Sequence, residues 1–282
     1  MSVECIVLDF DGTFTLVDRE AVPFVEGFLA DLRADVGDDV QRRWDETVLR
    51  VKADPDRYGW ENDGVIVAPS HADPYILATT VGQLLLAEAG IESRAVRTEK
   101  LQTLYQRNYP KALTVFRPDA KAVIETLVAT SIPVFVVTNS RTEHVEAKLD
   151  QLAPKGRKQI TVRGDARKFV LTQPASPDDG WKRVPTQREL AGLSRPIYLQ
   201  RGAYYEQLRR IWSETATDPS GTLVCGDIYE LDLALPSELG ARVHLVARPD
   251  TPEYERKAAR SRAGGTMSQD LAGLLEVLEL PG

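Results

Sequence analysis

Short unbroken apolar runs alternate along this chain with longer stretches of helical period. Val3-Glu4-Cys5-Ile6-Val7-Leu8, Ile132-Pro133-Val134-Phe135-Val136-Val137 and Thr222-Leu223-Val224-Cys225 each read as a strand buried on both faces, since consecutive apolar residues leave neither face for water. Ile160-Thr161-Val162 and Ile197-Tyr198-Leu199-Gln200 read as further strands, and His244 lies in another strand-like run. From about Phe14 to Val115 the period changes, and helices are predicted over 21–34, 38–53, 73–89 and 98–109. Asp73-Pro74 is a good helix opening and Gly90 a good stop, and Gly37 ends the first helix in the same way. Leu77, Val81, Leu84 and Leu85 form an apolar stripe whose ordinary use is core packing. Further helices are expected over 141–152 and 203–212, with an amphipathic one over 269–280 through Leu271, Leu274, Leu275 and Leu278. Two segments lack a long period: 58–75, with Trp60, Asn62, Asp63 and His71, and 152–195, whose Pro, Asp and Gly content suggests a long surface loop or small lid.

The residues just past the apolar runs carry the chemistry. The first run ends in Asp9-Phe10-Asp11-Gly12-Thr13, two carboxylates delivered by one strand, with Gly12 free to turn the backbone sharply. The second ends in Thr138-Asn139-Ser140 ahead of a helix, and the third in Gly226-Asp227 with a further acid at Asp232. In an open parallel sheet, ligands bind outside the carboxyl ends of the strands, so these three polar endings converge on one crevice. Taken singly, each has a plainer explanation: Asp at a turn, Thr or Asn as a helix cap, Asp232 as an acid at a helix start. Their order along one chain favours a shared site.

These ordered motifs resemble those of the haloacid dehalogenase superfamily of aspartate-nucleophile hydrolases, most of them magnesium-dependent phosphatases. Asp9-Phe10-Asp11-Gly12-Thr13 is similar to the family's first motif, Val136-Val137-Thr138-Asn139-Ser140 to its second, and Gly226-Asp227-Ile228-Tyr229-Glu230-Leu231-Asp232 to its fourth. The resemblance implies an α/β fold, a Rossmann-like parallel sheet core flanked by helices, with a helical cap domain inserted after the first strand. Residues 1–14 and 115–282 would form the core and 15–114 the cap.

Within that family, Asp9 would attack phosphorus and Asp11 would serve as general acid and then base. Mg²⁺ would be held by the carboxylates of Asp9 and Asp227 and the main-chain carbonyl of Asp11, with Asp232 in support. Thr138 would donate to a phosphate oxygen, and Asn139 would contact substrate or position the loop. The family's third motif is a lysine, and two cations compete for it here. Arg201 stands where the family places that lysine, at the opening of a helix, whereas Lys168 supplies the compact ammonium the chemistry prefers. Lys168 is the chosen neutraliser, with Arg201 as a second phosphate contact or its substitute.

The expected activity is therefore hydrolysis of a small phosphorylated metabolite. Phosphoryl transfer to another acceptor, dehalogenation, and a catalytically weak binding protein are the alternatives. A halide leaves without a proton, so Asp11 favours a phosphate ester. With 282 residues, 43% apolar and 27% charged, the chain has room for one large and one smaller domain. A net charge of -7 argues against nonspecific binding to nucleic acid or membrane surfaces. No run approaches a membrane span and Met1-Ser2-Val3-Glu4 lacks the features of a signal peptide, so a cytoplasmic protein, monomer or homodimer, is expected. Cys5 and Cys225 lie in strand runs and read as buried structural residues, and the histidines lack metal-ligand spacing.

Overall fold

The computed structural model describes residues 2–280, so positions 1, 281 and 282 of the expected core lie outside the described residues. Ten strands occur among the described residues: β1 (Cys5–Leu8), β2 (Gly59–Asn62), β3 (Val65–Pro69), β4 (Val134–Val137), β5 (Ile160–Arg163), β6 (Gln187–Arg188), β7 (Ile197–Tyr198), β8 (Thr222–Gly226), β9 (Arg242–Val246) and β10 (Gly265–Ser268). Six of them form a sheet in the order β10-β9-β8-β1-β4-β5, every neighbouring pair parallel. The chain thus runs outward from β1 through β4 to β5, returns to β8 on the other side of β1, and continues to β10. This is a doubly wound order, with its reversal between β1 and β8.

The apolar runs are explained by this position. Along β1, Cys5 and Val7 pack with Tyr204, Leu208 and Ile211 of the helix Gly202–Thr215. Ile6 and Leu8 point the other way, into Val123 and Leu127 of the helix Ala120–Val128 and Val145 and Leu149 of the helix Thr142–Leu152. A central parallel strand is covered on both faces, so neither parity can be polar. Leu8 lies opposite both Val136 and Cys225, which brings the carboxyl ends of β4, β1 and β8 nearly level.

The chain divides into two compact units, one running to Leu16 and resuming at Phe116, the other Val17–Val115. In the second, the helices Val22–Val36, Val40–Ala53, Pro74–Glu88 and Arg94–Asn108 enclose Phe24, Phe28, Leu32, Val81 and Leu85. Asp73 caps its helix as the sequence suggests, Oδ1 accepting from the Ile76 N–H at 2.6 Å. The helix Arg94–Asn108 starts four residues before the expected 98, because Ser93 Oγ accepts from the Val96 N–H at 3.4 Å and provides an earlier cap.

Four other expectations need correction. The aperiodic stretch 58–75 contains an antiparallel hairpin, β2 with β3, closed by Asp63 and Gly64 at φ of 50° and 82°. Two successive left-handed residues make the tight hairpin turn that an Asp-Gly pair favours. Apart from β5, which matches the strand expected at Ile160-Thr161-Val162, the stretch 152–195 is less a surface loop than a packed segment: Trp181, Val184, Leu190 and Leu193 join the core that holds Cys5 and Val7. The run from Ile197 forms only a two-residue strand, paired with β6 outside the main sheet. Of the amphipathic helix over 269–280 only Gly273–Val277 is helical, since Asp270 Oδ1 and Asp119 Oδ2 bind the N–H groups of Gly273 and Ala272 and delay its start. Leu271, Leu274 and Leu275 are buried all the same. No helix among the described residues is long and apolar enough to cross a membrane.

His244 joins β9 to β10, its ring nitrogens 2.8 Å from Thr266 Oγ1 and 2.9 Å from Ser268 Oγ. Burial pushes its pKa down to about 4, so the folded chain keeps the ring neutral. Below the ordinary histidine value the unfolded chain binds the extra proton, so stability present above about pH 6.5 is lost as pH falls toward 4, by up to about 3 kcal/mol. Urea denaturation of wild type and His244→Gln across that window should show the wild type losing more stability on acidification; parallel profiles would contradict this assignment.

Candidate active site

The reversal of the sheet places three polar endings side by side. Asp9 is the first residue beyond β1, Asp227 the first beyond β8, and Thr138 the first beyond β4. The Asp9 N–H donates to the Cys225 carbonyl at 2.8 Å, extending the pairing of β1 with β8 to the acid itself. Gly12 then turns at a φ of 86°, and a Cβ there would lie 2.3 Å from Asp227 Oδ2. Only glycine lets the two loops approach this closely. After β8, a π-helical turn over Tyr229–Leu233 carries Asp232 back beneath its own strand, where Oδ2 accepts from the Ile228 N–H at 3.0 Å.

Lys168 reaches this cluster from the segment after β5. Its Nζ donates to Asp9 Oδ1 at 2.7 Å and to Asp232 Oδ1 at 2.9 Å, and the side chain is 1% exposed. The ammonium also lies 5.2 Å from the centre of the Tyr204 ring. Burial alone would discharge it, but the carboxylates of Asp232 and Asp9 outweigh burial and hold its pKa well above the usual lysine value. The two carboxylates thus favour the charged ammonium.

The other expected residues take distinct places. Asp11 is held by Ser140 Oγ, which donates to Oδ2 at 2.6 Å, and by Lys148 Nζ, which donates to Oδ1 at 2.7 Å. Thr138 is buried, and its Oγ1 accepts from the Ser140 N–H at 3.1 Å, which leaves the hydroxyl hydrogen to be aimed elsewhere. Asn139 uses Oδ1 to accept from the Lys168 N–H at 2.7 Å, tying the loop after β4 to the lysine segment. Arg201 is fully buried. Its guanidinium donates to the Lys168 carbonyl and, through Nε at 3.1 Å, to the Tyr198 carbonyl. With Nη1 and Nε on main-chain oxygens, Arg201 braces the Lys168 backbone.

Asp9, Asp227 and Asp232 each offer one carboxylate oxygen within 4.8 Å of the other two, the spacing at which one cation can touch all three. Asp227 Oδ2 is buried and accepts no hydrogen bond among the described residues. Hard anionic oxygens and an unsatisfied buried acceptor fit a divalent cation such as Mg²⁺. The Asp11 carboxylate is not part of this trio. Burial raises Asp227 to about 7, with Arg248 opposing and Asp232 adding to the rise. Burial also raises Asp9 well above the carboxylate range, with Lys168 pulling it down and Asp232 and Asp227 pushing it up. A divalent cation among the three oxygens would reverse this balance and favour the ionised forms.

Several neighbours escaped the sequence reading. Thr13 Oγ1 donates to Asp9 Oδ2 at 3.3 Å and lies 3.4 Å from Asp227 Oδ1. Arg117 Nη2 donates to the Gly12 carbonyl at 2.9 Å. Glu255 accepts from the Tyr229 and Glu230 N–H groups at 3.2 and 3.3 Å, fixing the loop that carries Asp232. Thr13 and Ser140 were visible inside the motifs already singled out, while Lys148 and Glu255 had only their helical positions to mark them.

The sequence matches no protein-family model and no curated protein. Solved structures do match over nearly the whole length. A predicted phosphoglycolate phosphatase from Haemophilus somnus is similar at 15% identity and a TM-score of 0.55, with 98% of each chain covered. The HAD-hydrolase YfnB from Bacillus subtilis, bound to magnesium, is similar at 12% identity and a TM-score of 0.54, with 99% of each covered. A haloacid dehalogenase-like family hydrolase from Xanthomonas campestris is similar at 12% identity and a TM-score of 0.52, covering 99% of this chain and 95% of its own. This chain has the fold of the haloacid dehalogenase superfamily hydrolases.

Removing the Lys168 charge leaves Asp9 and Asp232 buried without their cation. Lys168→Met should lose about 3–5 kcal/mol in urea denaturation at pH 7 without added metal, the usual consequence of breaking a buried pair from one side. A loss under about 1 kcal/mol would show that the pair is not formed as described.

Proposed function

We propose that this chain is a divalent-metal-dependent phosphatase that hydrolyses a small phosphorylated metabolite through an aspartyl-phosphate. The observation that carries this reading is the Lys168 ammonium bridging Asp9 and Asp232 at 2.7 and 2.9 Å, beside Asp227 at the sheet reversal. Phosphoryl transfer demands an in-line nucleophile, positive charge around the equatorial oxygens and a proton for the departing oxygen. Asp9 is the nucleophile: its carboxylate forms a bond to phosphorus as the bond to the leaving oxygen breaks, and Asp11 delivers a proton to that oxygen. Water then attacks phosphorus, Asp11 takes its proton, and the Asp9 carboxylate is released with inorganic phosphate. Ser140 and Lys148, which bind the two oxygens of Asp11, fix the carboxyl in place between these two proton transfers.

Thr138 and the N–H groups opening the helix Thr142–Leu152 are assigned to the non-bridging oxygens, and Lys168 to their negative charge. A bound Mg²⁺, held by Asp9 and Asp227 with Asp232 in support, would neutralise charge on the phosphoryl group. The magnesium-bound hydrolase and the predicted phosphatase among the similar folds support this reading. Asp11 favours it over dehalogenation, in which the leaving halide takes no proton.

A panel of phosphorylated metabolites with Mg²⁺ should yield inorganic phosphate, and Asp9→Asn should lower that rate by about 10³-fold or more. Halide release from 2-haloacids without phosphate release would overturn the proposal in favour of dehalogenation, and a phosphorylated acceptor in place of free phosphate would make the chain a transferase. Ligand binding without turnover on any compound would make it a binding protein.

A further inference from the structure

The carboxyl end of β9, next to β8 in the sheet, delivers a residue that the proposed reaction does not use. Arg248 stands two positions past β9, and its side chain is 5% exposed. Its Nε lies 3.5 Å from Asp227 Oδ2 and 3.8 Å from Asp250 Oδ1. The loop is held at both ends. The Arg248 N–H donates to Thr251 Oγ1 at 2.8 Å, and the Arg248 carbonyl accepts from Arg256 Nη2 at 2.9 Å. The next helix, Glu253–Ser261, carries Glu255, whose carboxylate grips the loop leading from Asp227 to Asp232. The guanidinium and the acid it faces are thus fixed to the same framework.

That placement puts a permanent positive charge against Asp227 Oδ2, which accepts no hydrogen bond among the described residues. Lys168 already covers one oxygen each of Asp9 and Asp232, and Arg248 faces the remaining acid. We infer that Arg248 is a built-in competitor for the divalent cation, a positioning residue that holds Asp227 in place and sets how tightly the site takes metal. The inference rests on the metal-dependent reading of the site. Electrostatics gives its sign: a fixed unit charge a few ångströms from a ligand oxygen repels an arriving dication, and little water intervenes to screen it. A purely structural arginine would leave the metal affinity of a folded variant unchanged.

Titration calorimetry with Mg²⁺ on the full chain tests this without reference to turnover. Arg248→Met should bind Mg²⁺ about tenfold or more tightly than wild type. Arg248→Lys, which keeps the charge, should stay close to wild type. Arg248→Gln keeps a polar side chain in the same space and serves if the methionine variant fails to fold, as judged by circular dichroism. Wild type that binds Mg²⁺ while the folded neutral variants bind equally or more weakly would overturn the inference and leave the phosphatase reading intact. Wild type that gives no binding heat while a neutral variant binds would uphold it in its strongest form, with the guanidinium standing in for the cation. If neither wild type nor neutral variants bind, both the inference and the metal-dependent reading fall.

Discussion

Everything at the carboxyl edge of the sheet depends on compensating three buried acids. Asp9, Asp227 and Asp232 are nearly enclosed, and withdrawing one carboxylate from water costs several kcal/mol even after relaxation. Lys168 answers two of them with a single ammonium, and Arg248 faces the third. The compensation works only if the backbone is as exact as the charges. Gly12 lets its loop come against Asp227, the π-helical turn folds Asp232 under β8, and Asn139 and Arg201 pin the lysine segment by its N–H and its carbonyl. A cluster of like charges is thereby held together with three carboxylate oxygens within 4.8 Å of one another.

The sheet explains why the acids meet. Its strand order reverses between β1 and β8, the place where open parallel sheets in general bind their ligands. Apolar positions of both parities on β1 are consumed by the two layers of core, so polar chemistry is confined to the residues just past the strand ends. Asp9, Thr138 and Asp227 all occupy such places, and so, one residue further on, does Arg248.

Much of this was legible in the sequence because it is local. An apolar run followed at once by an acid or hydroxyl identifies both a buried strand and the residue it presents, and it located Asp9, Thr138 and Asp227 without reference to any contact. Pairing at long range was reached only through the resemblance, which asked for a lysine and made Lys168 the chosen neutraliser; nothing at either residue alone encodes that Lys168 meets Asp9 across 159 positions. Arg201 and Lys168 were rivals for one role, and only the fold shows the first supporting the second from behind. Leu271, Leu274, Leu275 and Leu278 suit a long helix or a chain of tight turns equally well, and the side chains of Asp119 and Asp270 decide between them. The hairpin closed by Asp63-Gly64 was readable from its turn residues, which a search for helical period passes over.

The central claim is that Asp9 takes the phosphoryl group onto its own carboxylate. The direct measurement is rapid acid quench of the chain during turnover of a phosphorylated substrate with Mg²⁺, followed by peptide mass spectrometry. The mass of one phosphoryl group should appear on the peptide containing Asp9 and disappear in Asp9→Asn. Turnover with that peptide unmodified at every quench time, or with the added mass on another residue, would contradict the mechanism.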